Sequence, residues 1–258
     1  METRSEPEPV AIKPLAHEVI YANVIRILKT LPHGSILDVP AGEGALAVQL
    51  LQLGMDVKCC DLHPQIFRLP QVDIKQGDLS HTLPYADSSF DYITCIEGLE
   101  HIENPHQAVR EFGRILRPGG QVILSIPNAL NIEERFKSLL YGYTSHFKPL
   151  SREYLNSLGD EFASAEEIAL HINPIVYPEL RYIFEKNGFE ILRLYRDKPK
   201  KNSWVYLPVV GLVRMLNWFQ SEARKRERWA VELESDEILL GGNTLIVHAM
   251  KSGSVRQE

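Results

Sequence analysis

Apolar residues run along the first half of the chain in two alternating patterns, one helical and one of short unbroken runs. Ile20, Val24, Ile27, Leu28 and Leu31 share one helical face, and the pattern stops at Pro32-His33-Gly34. Ser35–Val39 then reads as a buried strand, followed by a glycine-containing turn and a helix with Leu46, Leu50 and Leu51 on one side. Gly54 closes that helix, and 55–61 is a second strand. Val72–Gln76, Phe90–Ile96 and Gln121–Ile126 continue the series, with a helix between the last two carried by Ala108, Val109, Phe112, Ile115 and Leu116. Arg117-Pro118-Gly119-Gly120 reads as the stop of that helix. Strands alternating with helices at this spacing predict an α/β fold, a mostly parallel sheet covered on both faces.

Beyond Asn128 the pattern loosens. A helix is expected over 178–187, a sixth strand over 189–195 and a seventh over 243–250. Between the last two lies an insertion, 197–242. The expected organisation is a disordered leader over 1–13, a main domain over 14–196 and 243–251, and the insertion as a cap.

Composition narrows the class. Apolar residues make up 44% and charged residues 24% of the 258, as in soluble globular proteins. A net charge of −6 gives no general pull toward nucleic acid, so none is expected as a partner. Cys59, Cys60 and Cys95 lie in strand-like runs and read as buried free thiols. Adjacent strand residues face opposite ways, so Cys59 and Cys60 are not expected to share a metal. The acidic, proline-containing start resembles no signal peptide, and no apolar run approaches the ~20 residues of a membrane span. The expected location is the cytoplasm, with peripheral membrane attachment open.

The chemistry concentrates at strand ends. In an open α/β sheet, ligands bind beyond the carboxyl ends of the strands where strand order reverses. Three acids fall at such ends. The first strand runs into Asp38-Val39-Pro40-Ala41-Gly42-Glu43-Gly44, whose small residues permit close backbone approach. The second ends in Asp61-Leu62, placing a carboxylate where a ribose diol can donate to it. The third ends in Asp78-Leu79, where a carboxylate can accept from an exocyclic amine. Each acid alone also reads as a turn former or helix cap.

With these residues in order, the chain resembles the class I S-adenosylmethionine-dependent methyltransferases from about Ile36 to Asn128. Ile36–Gly44 is similar to the family's glycine-rich motif, Asp61 to its ribose-binding acid and Gly77-Asp78-Leu79 to its adenine-contacting turn. Phe90-Asp91-Tyr92-Ile93 followed by Glu97-Gly98-Leu99-Glu100-His101 resembles its fourth-strand motif, and Leu116–Gln121 its post-helix turn. The resemblance implies a Rossmann-like seven-stranded sheet and S-adenosylmethionine as cofactor. It also implies binding by Asp38, Pro40, Ala41, Gly42, Glu43, Gly44, Asp61, Leu62, Asp78, Leu79, Glu97 and Gly98. Pro40 stands where the family has glycine, so a slightly altered loop is expected.

The resemblance further implies transfer to a hydroxyl of a small molecule, as in saccharide, lipid and quinone pathways. His101, with Glu97, is the candidate for proton removal; a packing histidine reads equally well. Tyr143, His146 and His171 are candidate acceptor contacts. Glu97, Glu100 and His101 at i, i+3 and i+4 also resemble the metal-binding element of ubiquinone-pathway O-methyltransferases and small-RNA 3′-end methyltransferases. A divalent ion there is the less favoured alternative, with His146 or His171 as a further ligand. A non-catalytic S-adenosylmethionine-binding regulator or partner protein is the alternative function. Oligomeric state is not legible. Trp204–Phe219, apolar and tryptophan-rich beside Arg224, Lys225, Arg226 and Arg228, fits either a membrane-interface segment or a flap over the pocket or a dimer partner.

Overall fold

A computed structural model describes residues 12–153 and 171–252. Its helices are α1 (Glu18–Leu28), α2 (Ala45–Gln52), α3 (Pro105–Ile115), α4 (Ile132–Tyr141), α5 (Tyr177–Lys186), α6 (Leu207–Trp218), α7 (Glu222–Glu227), α8 (Ala230–Leu233) and α9 (Asp236–Leu239). Its strands are β1 (Ser35–Asp38), β2 (Asp56–Asp61), β3 (Ile74–Gln76), β4 (Phe90–Cys95), β5 (Leu116–Pro127), β6 (Phe189–Arg196) and β7 (Thr244–Lys251). They form one sheet in the order β3-β2-β1-β4-β5-β7-β6, with β7 antiparallel to both its neighbours and the other pairings parallel. This is the mostly parallel α/β sheet expected from the alternating pattern, in the Rossmann-like seven-stranded form that the resemblance implied.

Strand alternation sends successive side chains to opposite layers. Ile36, Val57, Cys59 and Tyr92 pack with Val24, Leu28, Leu46 and Leu50 of α1 and α2. Leu37, Cys60, Ile93 and Val122 pack with Phe112, Ile115, Leu180 and Phe184 of α3 and α5. Cys59 and Cys60 therefore lie on opposite faces, and all three cysteines are buried and free, as expected. An ionic clamp fixes the approach to β4. Buried Glu111 accepts the Leu83 N–H at 2.8 Å and the Arg114 guanidinium at 2.7 Å, while Arg114 also donates to the carbonyls of Leu83 and Tyr85.

The stretch between β6 and β7 leaves and rejoins the sheet at one place. Pro199 bridges Gly241, and the Gly242 N–H donates to the Lys198 carbonyl at 2.7 Å. Buried Asn128 and Asn131, just past β5, donate to the carbonyls of Ile238 and Gly242. Because β5 and β6 run parallel, this stretch and α4 stand on the carboxyl edge of the sheet. Of the leader expected over 1–13, residues 1–11 lie outside the described residues. Ile12 packs against the α1–α2 layer, and the Lys13 N–H donates to the Glu43 carboxylate at 2.9 Å.

Candidate active site

Strand order reverses at β1, whose neighbours are β2 on one side and β4 on the other. Asp38 ends β1 and is buried. Its Oδ1 accepts the Thr94 hydroxyl of β4 at 2.8 Å. Burial, with the nearby Asp61 charge, nonetheless pushes its carboxyl up to about 7. The Val39–Pro40 peptide that follows is cis. The Pro40 ring lies against Gly98 so closely that a Cβ there would stand 2.7 Å from Pro40 Cδ and 3.0 Å from Cys95 Sγ. Pro40 thus seats the turn on the β4 exit, and Gly98 is the residue that makes room.

The turn is tied to β2. The Ala41 N–H donates to the Cys60 carbonyl, and the Gly42 N–H donates to Asp61 Oδ2 at 2.8 Å. The other carboxylate oxygen of Asp61 accepts the His63 N–H at 2.8 Å. Asp61 thereby organises the loop, and each of its oxygens keeps a further lone pair for a ligand hydroxyl. Leu62 is exposed beside it, and Gly44 (φ +99°) begins α2 in a backbone conformation that favours glycine. A Cβ at Gly42 would meet Leu15 at 2.5 Å, so the segment before α1 crosses this loop. One carboxylate oxygen of Glu43, expected at the cofactor, accepts the Lys13 N–H at 2.9 Å. Asp78 accepts the Ser80 N–H at 2.7 Å and lies 2.9 Å from the His81 ring, which together hold its carboxyl below the ordinary range; Leu79 is buried.

Beyond β4 the geometry departs from the helical-face expectation. Glu97 has φ +50° and stands before the single 3₁₀ turn Leu99–His101, so it does not share a face with Glu100 and His101. Its Oε1 accepts the Ser125 hydroxyl at 3.0 Å, and its N–H donates to the same hydroxyl oxygen at 2.9 Å. Burial raises its pKa against the lowering effect of the Ser125 and Thr244 hydroxyls. Glu100 is fully buried and neither carboxylate oxygen has a hydrogen-bond partner among the described residues. Burial and the Glu97 charge drive its pKa well up.

Residue 171 completes the group. Ligand atoms of Glu100, His101 and His171 all lie within 4.8 Å of one another, and the His101 and His171 rings meet edge to face at 4.9 Å. The His146 ring stacks over His171 at 6.1 Å, with a buried Nε2 that has no hydrogen-bond partner among the described residues. Burial lowers the pKa of His171 to about 4, and that of His146 below its ordinary value, so both rings are neutral near pH 7. Of the three expected acceptor contacts, His146 and His171 join this cluster. Tyr143 instead pairs with Tyr141 at 6.2 Å on the surface.

Sequence reasoning missed Tyr21 and His17 of the α1 entry. Tyr21 feels the charges of Asp38 and Glu97, which with burial raise its phenol pKa, and His17 lies near enough to Glu97 to lower that acid's pKa. Tyr21 follows Ile20 in an apolar stripe, so its sequence signal was that of a core residue.

Residues 37–124 match a family model described as a methyltransferase domain. A ubiquinone biosynthesis O-methyltransferase of Xanthomonas campestris is 31% identical over 127 residues, covering 46% of this chain and 51% of that one. A demethylmenaquinone methyltransferase of Renibacterium salmoninarum is 31% identical over 107 residues, covering 40% and 45%. The match therefore spans about half the length of these relatives. Among solved structures, a SAM-dependent methyltransferase from Thermotoga maritima aligns with TM-score 0.54 at 18% identity, covering 91% of this chain and 90% of that one. The [4+2]-cyclase SpnF aligns with TM-score 0.52 at 19% identity, covering 92% and 81%. At such identities these two likenesses speak for the fold.

Proposed function

We propose that this chain is a class I S-adenosylmethionine-dependent methyltransferase that transfers a methyl group to a hydroxyl oxygen of a small acceptor. One observation carries the reading. The reversal of strand order sets Asp38, Asp61 and the Gly42–Gly44 turn beside the β4 exit, whose Glu100–His101–His171 cluster lies on the same edge. The donor set fits the cofactor: Asp61 has lone pairs for a ribose diol, and Leu62 offers apolar surface beside it. S-adenosylmethionine, when bound, supplies an activated methyl group with a thioether as its leaving group.

The chain's own residues then position and deprotonate. Holding acceptor and donor in line is worth as much as ~7–11 kcal/mol. His101 takes the acceptor's hydroxyl proton, a step worth about 10²–10⁴-fold in rate. His171, held to about 4, is too weak a base for this and instead sets the His101 ring by edge-to-face contact. The name of the first relative, a ubiquinone biosynthesis O-methyltransferase, supports a quinone-pathway hydroxyl as the acceptor. The test is methyl transfer from labelled S-adenosylmethionine to quinols, saccharides and lipid hydroxyls, with His101→Gln beside wild type. Binding of S-adenosylhomocysteine without transfer to any acceptor would leave the non-catalytic reading standing.

A second reading adds a divalent ion to the same reaction. Its warrant is Glu100, a buried carboxylate with no hydrogen-bond partner among the described residues, beside two histidine rings. Mixed nitrogen and oxygen donors suit a first-row divalent metal. Glu100, His101 and His171 would hold it, and Glu97 would not. Such an ion acidifies a hydroxyl beside it. Titration with Mn²⁺, followed by electron paramagnetic resonance, checks it without reference to activity. Wild type that leaves Mn²⁺ free in solution, or Glu100→Gln that binds it equally well, would exclude the site.

A further inference from the structure

The helix α6 and the turn before it are apolar on both the inward and the outward side. On a helical projection, Tyr206, Val209, Val210, Val213 and Asn217 form the inward stripe; Val210 packs with Ile132, Leu239 and Leu240, and Tyr206 stacks on Phe136 of α4 at 6.3 Å. The outward arc carries Trp204, Val205, Leu207, Leu212, Met215, Leu216, Trp218 and Phe219. A solvent-facing arc is ordinarily polar. Here Trp204 is 71% exposed, Trp218 73% and Phe219 75%. Exposed Leu139, Leu140 and Tyr141 lie in the last turn of neighbouring α4. Apolar surface of this extent marks an interaction site rather than a solvated face.

Charge identifies the partner. Residues 198–228 hold eight lysines and arginines against two acidic residues, in a chain whose net charge is −6. Arg224 and Arg226 of α7, and Arg228 just past it, are exposed immediately beyond the apolar arc. A second copy of an acidic chain would gain little from such a cluster. An anionic lipid surface satisfies both features at once, with apolar and tryptophan side chains among the acyl chains and arginines at the headgroups. No helix among the described residues is long and apolar enough to cross a membrane, so the contact is one of lying on the surface. We propose that the outward face of α6, with the basic residues 224–228, docks on the surface of an anionic bilayer. The proposal does not depend on methyl transfer. It sets the carboxyl edge of the sheet, where α4 and α6 both stand, toward the lipid.

Two of the three tryptophans sit on the docking face, so the protein carries its own reporter. Flotation with vesicles of phosphatidylcholine alone, and of phosphatidylcholine with 30% phosphatidylglycerol, reads binding directly. The expected result is flotation with the anionic vesicles alone, a blue shift of tryptophan emission and release by salt. Trp218→Ser with Phe219→Ser abolishes flotation, and Arg224→Gln with Arg226→Gln weakens partition roughly 25-fold, about five-fold per arginine. All four side chains are exposed, so neither double variant removes packing. Wild type that ignores both vesicle types, or floats equally with neutral ones, overturns the proposal. So does binding that survives loss of Trp218 and Phe219, or a solution dimer that the same pair of substitutions dissolves, which would make a second copy the occupant.

Discussion

Replacing Asp61 by asparagine separates the structural from the ligand-binding work of this carboxylate. Its two oxygens accept one backbone N–H each, from Gly42 and from His63, both at 2.8 Å. Asparagine offers one oxygen and one NH₂, so in either rotamer a donor faces a donor. One hydrogen bond to a charged group is lost, worth about 1.5–3 kcal/mol. For a domain of this size that lowers Tm by roughly 3–12 °C, at ~2–4 °C per kcal/mol. A ribose diol bound at Asp61 loses one charged acceptor of similar worth, weakening affinity about 10- to 150-fold. Differential scanning calorimetry and titration with S-adenosylhomocysteine read the two effects separately. Unchanged Tm would refute the account of the loop. Lower Tm with wild-type affinity would refute the ribose contact while leaving the loop role intact.

Asp38 gives a pH signature. Its carboxyl is buried against Thr94 near Asp61, Tyr21, Cys59 and Cys95, and is pushed up to about 7 from 3.8. The folded chain thus holds a proton that the unfolded chain releases, so this contribution is fully present below about pH 4 and is lost as pH rises through 7, by at most about 4 kcal/mol. Asp38→Asn removes that slope, and urea unfolding of both proteins at pH 5 and 8 should show their difference growing with pH; a constant difference contradicts the assignment. Gly98→Ala drives a methyl group into Pro40 and Cys95, costing about 1–3 kcal/mol of stability in thermal melts; wild-type Tm would show that the turn has room. Glu111→Ala leaves Arg114 without its main partner and the Leu83 N–H unpaired, and should cost about 3 kcal/mol by urea unfolding, whereas a loss under ~1 kcal/mol would mean that Asp87 suffices.

The sheet was legible because its cause is local. Ile36 and Leu37, or Cys59 and Cys60, need a buried layer on each side whatever surrounds them, and the acids that end β1 and β2 follow directly from where those runs stop. The N-terminal boundary was less so. The acidic leader carries no periodicity, yet Ile12 and Leu15 pack against the α1–α2 layer and the Gly42 turn because those surfaces are apolar. No pattern in residues 1–13 encodes that contact.

The β4 exit shows where pattern reasoning gives way. Spacing of i, i+3 and i+4 brings side chains together only if every intervening residue is helical. Glu97 sits at φ +50° and Gly98 at φ −126°, so the turn begins too late to include Glu97. Its place in the cluster is taken by His171, seventy positions beyond His101, because the chain after α4 returns to the β4 exit, where the Asn173 N–H donates to the Glu100 carbonyl at 3.0 Å. That return is a tertiary fact with no local signature. It has a chemical consequence: a buried carboxyl that already feels the Glu97 charge gains two imidazole rings as neighbours. Burial and the Glu97 charge favour its protonated form, so Glu100 stays ionised only when a cation or a protonated ring faces it. The two readings proposed for this cluster, proton removal from an acceptor and capture of a divalent ion, are distinguished by Glu100→Gln, which keeps the shape and removes the charge.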